Sequence, residues 1–226
     1  MLEITLNGNL EAYTADYFPS RIYQNTVIMY KLALIVLLAA AAMADVPSFC
    51  NRLDCPRFKV LRTTDDYEVR EYEESRWAST DVYDMDFSKS GSIGFRRVFN
   101  YIAGNNAANA KIPMTAPVLR TIIPGQGPAC ESNFTTSFYQ PFNMQKSGGP
   151  APSDADVYLS VLPKVTMYVR SFSGYATEED YLNQATQLAA SINNPDAFRS
   201  DLYYTAGYDS PYKFFNRHNE ILFRAK

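Results

Sequence analysis

The chain has 226 residues and a formal charge of −3, from 21 Lys and Arg against 24 Asp and Glu, and it is rich in Tyr (17) and Phe (14). It carries none of the basic stripe that grips nucleic acid, so nucleic acid is not an expected partner. Its longest apolar run, Leu32–Met43, falls well short of the roughly 20 residues that a membrane-crossing helix needs, so stable membrane insertion is not expected either.

Residues 1–28 show no clean helical or strand period and read as a mis-started or non-native extension, with Met29 the true start. Residues 29–44 read as a signal peptide: Lys31 precedes the apolar run, and Ala42-Met43-Ala44 supplies small residues for cleavage. Export is the expectation. If the extension is translated, the apolar run becomes internal and a cytoplasmic location follows. Residues 45–65 read as an irregular arm, with Pro47 and Pro56 barring regular structure. Residues 66–226 then form one domain with a substantial core.

The three cysteines are Cys50, Cys55 and Cys130. An oxidising compartment favours one disulfide and one leftover thiol. The expectation is that Cys50 or Cys55 ties the arm to the Cys130 loop; the sequence leaves open which. Asn133-Phe134-Thr135 is a glycosylation sequon, usable only on export.

In the domain, residues 67–72 and 77–82 alternate as strands, with 73–76 read as a hairpin turn. A helix follows, on which Phe95, Val98, Phe99 and Ile102 fall at i, i+3, i+4 and i+7 and so share a face. Asp86, Ser88 or Ser90 caps its start, and Gly104-Asn105-Asn106 ends it. Residues 112–123 form an extended run that Pro113 and Pro117 confine to an edge or a bend. Residues 134–139 are a further strand, and residues 147–153 a flexible connector.

The second half repeats this order. Strands at 157–162 and 165–172 flank Pro163-Lys164. Thr177 to Asp180 is a near capping box for a helix whose Tyr181, Ala185, Leu188, Ala189 and Ile192 share a face; Asn193-Asn194-Pro195 stops it. Strands at 202–208 and 221–224 close the chain. The class is therefore α+β, a pseudo-twofold repeat of strand-strand-helix-strand-strand with a cleft where the halves meet.

Several segments carry a family resemblance: Tyr67-Glu68-Val69-Arg70-Glu71-Tyr72, Trp77-Ala78-Ser79-Thr80, Asn100-Tyr101-Ile102-Ala103-Gly104-Asn105-Asn106, Lys111-Ile112-Pro113-Met114-Thr115-Ala116-Pro117-Val118, Val169-Arg170-Ser171-Phe172, Tyr203-Tyr204-Thr205-Ala206-Gly207-Tyr208 and Asn216-Arg217-His218-Asn219-Glu220. In this order they resemble the SOUL haem-binding family across nearly all of residues 66–226. The resemblance implies a distorted β-barrel of two antiparallel four-stranded sheets with two flanking helices. It also implies haem or another tetrapyrrole as bound ligand, in an apolar cleft beside the first helix and the loop before the last strand. By matching position, the helix contributes Phe95, Val98, Phe99 and Ile102. The loop contributes Tyr212, Lys213, Phe214, Phe215, Asn216, Arg217 and His218.

A porphyrin presents apolar faces and two carboxylates. Burying a few hundred Å2 is worth on the order of 10 kcal/mol gross at about 25 cal/mol per Å2. Association consumes an estimated ~4–15 kcal/mol of that. Cations at the carboxylates or a ligand to iron must therefore supply the difference; Lys111, Lys213 and Arg217 are the candidate cations. Some family members carry His within the first motif, where this chain has Glu71, so that ligand is absent. The lone histidine, His218, is the candidate axial ligand, with an ordinary surface histidine as the alternative. Met114, beside Pro113, reads as core filling rather than a ligand. No nucleophile elbow, zinc-protease motif or phosphate loop is present, so catalysis is not expected. The functional expectation is a secreted haem or porphyrin carrier or scavenger. The alternatives are a protein-interaction module linked to cell death signalling and a small-molecule hydrolase on a related fold.

Overall fold

The computed structural model describes residues 46–127 and 129–226. The expected extension (1–28) and signal peptide (29–44) lie outside the described residues. Among the described residues, nine strands and two α-helices follow one another: β1 (Phe58–Thr63), β2 (Glu68–Tyr72), β3 (Ser75–Asp84), α1 (Phe87–Ala103), β4 (Val118–Ile123), β5 (Ser132–Tyr139), β6 (Val157–Leu162), β7 (Val165–Phe172), α2 (Glu178–Ile192), β8 (Tyr203–Gly207) and β9 (Asn219–Arg224). All neighbouring strands are antiparallel, in the order β1-β2-β7-β9-β8-β4-β5-β3-β6. Apart from β1, exchanging β2–β5 for β6–β9 makes this order read the same from its other end.

Residues 73–76 do not form the expected hairpin turn. β2 pairs with β7 and β3 with β6, in one unbroken register: Glu68 opposite Val169, Tyr72 opposite Val165, Ser75 opposite Leu162 and Thr80 opposite Val157. Both chains run straight on past each other, through Glu73-Glu74 on one side and Pro163-Lys164 on the other. This long ribbon joins the four strands β2-β7-β9-β8 to the four strands β4-β5-β3-β6 and curls them into a distorted barrel. The polar run at 73–76 lacks the Gly, Asn or Pro that a tight turn demands, and its charges stay at the surface.

Two further expectations are corrected. The arm at 45–65 is not wholly irregular, since β1 adds itself to the edge of β2. β4 is not an edge strand: it pairs with both β5 and β8, and the ladder begins at Val118, immediately past the last proline.

Strand alternation sorts the core into two faces. Inward stand Tyr72, Trp77, Leu119, Met167, Val169, Tyr204, Ala206 and Leu222, which fill the barrel. This face keeps a space of about 30 Å3 beside Leu119, Met167 and Leu222 and a second of about 190 Å3 towards Ser79, Ser137 and Ser160. Outward, α1 lays Val98, Tyr101 and Ile102 on Ala78, Phe138 and Val157, and α2 lays Leu188 on Ile221 and Phe223. The helices thus sit on opposite flanks of the outer face, with the central strands β4 and β8 between them.

Both helix starts are capped as the sequence predicts. The Asp86 carboxylate accepts from the Lys89 N–H, and Thr177 and Asp180 form a reciprocal capping box. Gly104 ends α1 at φ 124°, a conformation that favours glycine. Met114 packs against the α1 cluster, as core filling requires.

Candidate functional site

The spaces on the inner face, about 30 and 190 Å3, fall below the size of a typical ligand site. A groove of about 870 Å3 lies on the outer face, within the range of roughly 300–1,000 Å3 typical of ligand sites. One wall is the first half of α1, with Asp86, Phe87, Ser88, Gly91, Ser92, Phe95 and Arg96; the other is Ala176, Thr177 and Glu178 at the start of α2, and Pro211 closes one end. Arg120 of β4 also lines it.

Arg120 reaches the groove because period-2 alternation points it outward with Val118 and Ile122. It is 9% exposed. Its Nη2 donates to the Phe87 carbonyl (3.0 Å) and Ser90 Oγ (2.9 Å). The guanidinium lies 3.9 Å from the Phe87 ring centre and 5.1 Å from that of Phe134. Its buried Nε has no partner, and among the described residues no carboxylate lies within ion-pair distance. Burial, offset only in part by the Tyr181, Tyr203 and Glu178 oxygens, pushes its pKa down to about 10. It remains a cation at neutral pH.

The sequence-predicted residues divide. Phe95 lines the groove, and Phe99 stacks on it one turn along (ring centres 5.7 Å apart); both are exposed. Val98 and Ile102 do not line it: at 0% and 8% exposed they face the sheet. The helical period puts all four on one side, but the buried face is centred on Ser90, Gly94, Val98 and Tyr101 and leaves the phenylalanines outside it. Lys111 is exposed at the far end of α1, where Ile112 N–H donates to the Ile102 carbonyl, and does not line the groove. Tyr212, Phe214 and Phe215 follow Pro211 and are exposed (83%, 69% and 82%).

Of the loop cations, Lys213 is ion-paired, while Arg217 is held by carbonyls with its buried Nε, like that of Arg120, left without a partner. Lys213 Nζ bonds Asp209 (2.5 Å). Arg217 donates to the Ser210, Lys213 and Asp209 carbonyls and stacks over Tyr175, which holds the loop in shape. Asn216 takes a left-handed turn at φ 51°.

His218 is placed elsewhere. Its ring stacks on Phe49 (4.1 Å, 5° between planes), and its Nε2 lies 2.8 Å from Glu220 Oε1. It lines a different depression, with Pro47, Phe58 and Arg70. It does not line the α1 groove; the imidazole belongs instead to a network around Glu220. Glu220 there accepts from Arg70 Nη1 (2.8 Å) and Tyr208 (2.7 Å), and Arg70 also bonds Glu68 (2.7 Å) and Tyr72 (3.2 Å).

The cysteine expectation is also corrected. Cys50 pairs with Cys55, and Cys130 is an exposed free thiol on the β4–β5 connection. A 3-10 turn at Ser48–Cys50, followed by left-handed Asn51 and Arg52, folds the arm back so that the two Cα atoms lie 6.2 Å apart. The closed arm carries Phe49 onto His218 and stoppers that end of the barrel.

Sequence reading missed Arg120. The available signal was a lone charge at the centre of Val118-Leu119-Arg120-Thr121-Ile122-Ile123, on the same strand face as Val118 and Ile122.

A curled antiparallel sheet with two helices on its outer face, and a groove between helix starts, defines an α+β distorted-barrel architecture. The chain belongs to the SOUL heme-binding protein family, whose sequence profile matches residues 53–224. It is 39% identical to heme-binding protein 2 of Homo sapiens over 156 residues, covering 69% of this chain and 76% of that one. It is 34% identical to heme-binding protein 2 of Mus musculus (75% and 84% covered) and 32% identical to heme-binding protein 1 of Xenopus laevis (70% and 82%). Among solved structures, the EcmrR C-terminal domain shares the fold alone, at TM-score 0.53 and 13% identity over 71% of this chain and 98% of that one.

Proposed function

We propose that this protein binds haem or a related tetrapyrrole in the groove between the starts of α1 and α2, as a carrier or scavenger that does no chemistry on it. The carrying observation is the contrast in space: about 30 and 190 Å3 in the two pockets of the inner face against about 870 Å3 in the outer groove, with a buried cation lacking a counter-ion in the larger site. Phe95 and Phe87 offer apolar contact to the macrocycle. Arg96 at the rim and Arg120 offer charge to its carboxylates. Family membership and the haem-binding relatives support the same ligand class.

The groove lining offers no imidazole, thiolate or thioether to iron. Affinity then rests on apolar burial and charge. In a titration followed by the Soret band, hemin binds saturably with one molecule per chain, and iron-free protoporphyrin IX binds within about threefold of it, under 1 kcal/mol of difference. Absence of saturable binding at micromolar ligand rejects the proposal and favours a protein-interaction role. A hemin affinity far above that of protoporphyrin would return an iron ligand to the site.

Export belongs to the same reading, with cleavage after Ala44 and Asn133 as glycan acceptor. The Cys50–Cys55 disulfide supports an oxidising destination. N-terminal sequencing and intact mass of the secreted protein test it: a first residue upstream of Met29 rejects the processing, and an unshifted mass rejects the glycan.

A further inference from the structure

The geometry points to Arg120 as the residue that receives a ligand carboxylate in this groove, so that the tetrapyrrole enters with a propionate leading and its apolar edge towards the Phe95–Phe99 stack. This deepens the tetrapyrrole reading and rests on it.

A charge buried to this degree is ordinarily paired, because removing a lone ion from water costs far more than its neutral contacts return. Arg120 is held in place without being neutralised. Two carbonyl- or hydroxyl-type acceptors fix Nη2, and two aromatic rings flank the guanidinium, but Nε is left without a partner. Among the described residues Nη1 makes no hydrogen bond either. It lies beneath Gly91, where an added Cβ would come within 3.1 Å of it. The absent side chain at Gly91 is what leaves that nitrogen open towards the groove.

Three features select a carboxylate. The guanidinium is planar and pairs with a carboxylate through charge-assisted hydrogen bonds. The surrounding rings exclude water and strengthen that pairing. The groove is also wide enough for the flat body that carries the acid. Glu178 and Asp86 line the same groove, and the Glu178 charge acts on Arg120 as well as on the ligand.

The test uses the full secreted chain, with protoporphyrin IX and its dimethyl ester as probes. In the wild type the free acid binds more tightly than the ester. In Arg120→Met the acid loses about 10- to 100-fold, the value of one charge-assisted hydrogen bond or more, and the ester is nearly unchanged. Arg120→Lys keeps part of the preference for the acid. Near-UV circular dichroism reports whether each variant folds. Should Arg120→Met lose its fold, the wild type still decides: the 15N shift of Arg120 Nε moves on adding the acid and stays on adding the ester. Equal losses for acid and ester, or an unmoved Nε resonance with bound acid, overturn the assignment and leave the tetrapyrrole reading standing. Wild type that binds neither probe nor hemin overturns both.

Discussion

Two arginines are buried in this barrel, and their surroundings are opposite. Arg70 faces inward, 3% exposed, and meets Glu220, Glu68 and the Tyr72 hydroxyl. Burial works against its charge, yet the Tyr72 and Glu220 oxygens raise its pKa above the ordinary value. Arg120 faces outward, has no carboxylate, and its pKa is lowered by burial. One cation is completed by the fold, and the other is held for something the fold does not supply. Stability should therefore depend on the partners of Arg70, and ligand affinity on Arg120.

The largest effect comes from breaking the completed pair. Glu220 is fully buried, and Glu220→Gln leaves Arg70 charged with no buried counter-ion. Loss of one partner of such a pair costs about 3–5 kcal/mol, read from urea unfolding. The double variant Arg70→Met, Glu220→Leu recovers only part of that: it removes the uncompensated charge but leaves the buried Tyr72 and Tyr208 hydroxyls without these partners. A loss below about 1 kcal/mol in Glu220→Gln would mean that the interior network is not what compensates Arg70.

The same pair sets an acid limit. Burial pushes the Glu220 carboxyl up, but the His218 hydrogen bond, the Arg70 charge and Tyr208 together hold it below its ordinary 4.5. A group whose folded pKa is depressed contributes stability that is complete above the unfolded value and is lost as pH falls through the folded one. Unfolding free energy should therefore decline as pH drops below 4.5, and the Glu220→Gln variant should show a shallower decline over the same range. Parallel curves would remove Glu220 from the acid response.

The two arginines also show how far the sequence could be read. Helices, caps and most strands were legible, because period and capping chemistry are local: Thr177 and Asp180 announce α2 before any fold is known. Pairing was not. Glu73 to Arg76 looks like a turn because polar residues interrupt two alternating runs, and only the register across Tyr72–Val165 and Ser75–Leu162 shows the chain running on. The site was half legible. Phe95 lines the groove and Pro211 brings the start of the 212–218 loop to its end, whereas His218 was drawn to the site by being the sole imidazole. What fixes its ring is Phe49, contributed from the arm some 170 residues away, and no local pattern encodes that stacking. Arg120 was missed for the reverse reason. In a strand its neighbours are ordinary, and its lack of a carboxylate is a property of the assembled molecule.

Two glycines of α1 carry the comparison onto the helix. Gly94 faces the sheet, and an added Cβ would lie 2.8 Å from the Thr136 Cβ on β5. Gly94→Ala must lift α1 from the sheet and should cost about 1–3 kcal/mol in urea unfolding, the usual cost of overpacking. A neutral result would show that α1 rides over β5 more loosely than the contact implies.

Gly91 lies one turn earlier and faces the groove, where the added Cβ meets only the end of the Arg120 side chain at 3.1 Å. Alanine here brings a helix-propensity gain of about 1 kcal/mol over glycine. Against this stands the small retreat demanded of a guanidinium fixed through Nη2 to Phe87 and Ser90. The two nearly cancel, so unfolding free energy should move by less than about 1 kcal/mol. Ligand affinity does not share that cancellation, because the new methyl group stands over the open Nη1. Protoporphyrin IX should bind about tenfold more weakly, the equivalent of about 1.4 kcal/mol, with its dimethyl ester less affected. A Gly91→Ala protein that keeps its stability but loses acid-selective binding separates ligand recognition from folding within a single helical turn. If it instead loses stability and keeps its affinity, the open side of Arg120 is part of the scaffold and the contrast between the two arginines collapses.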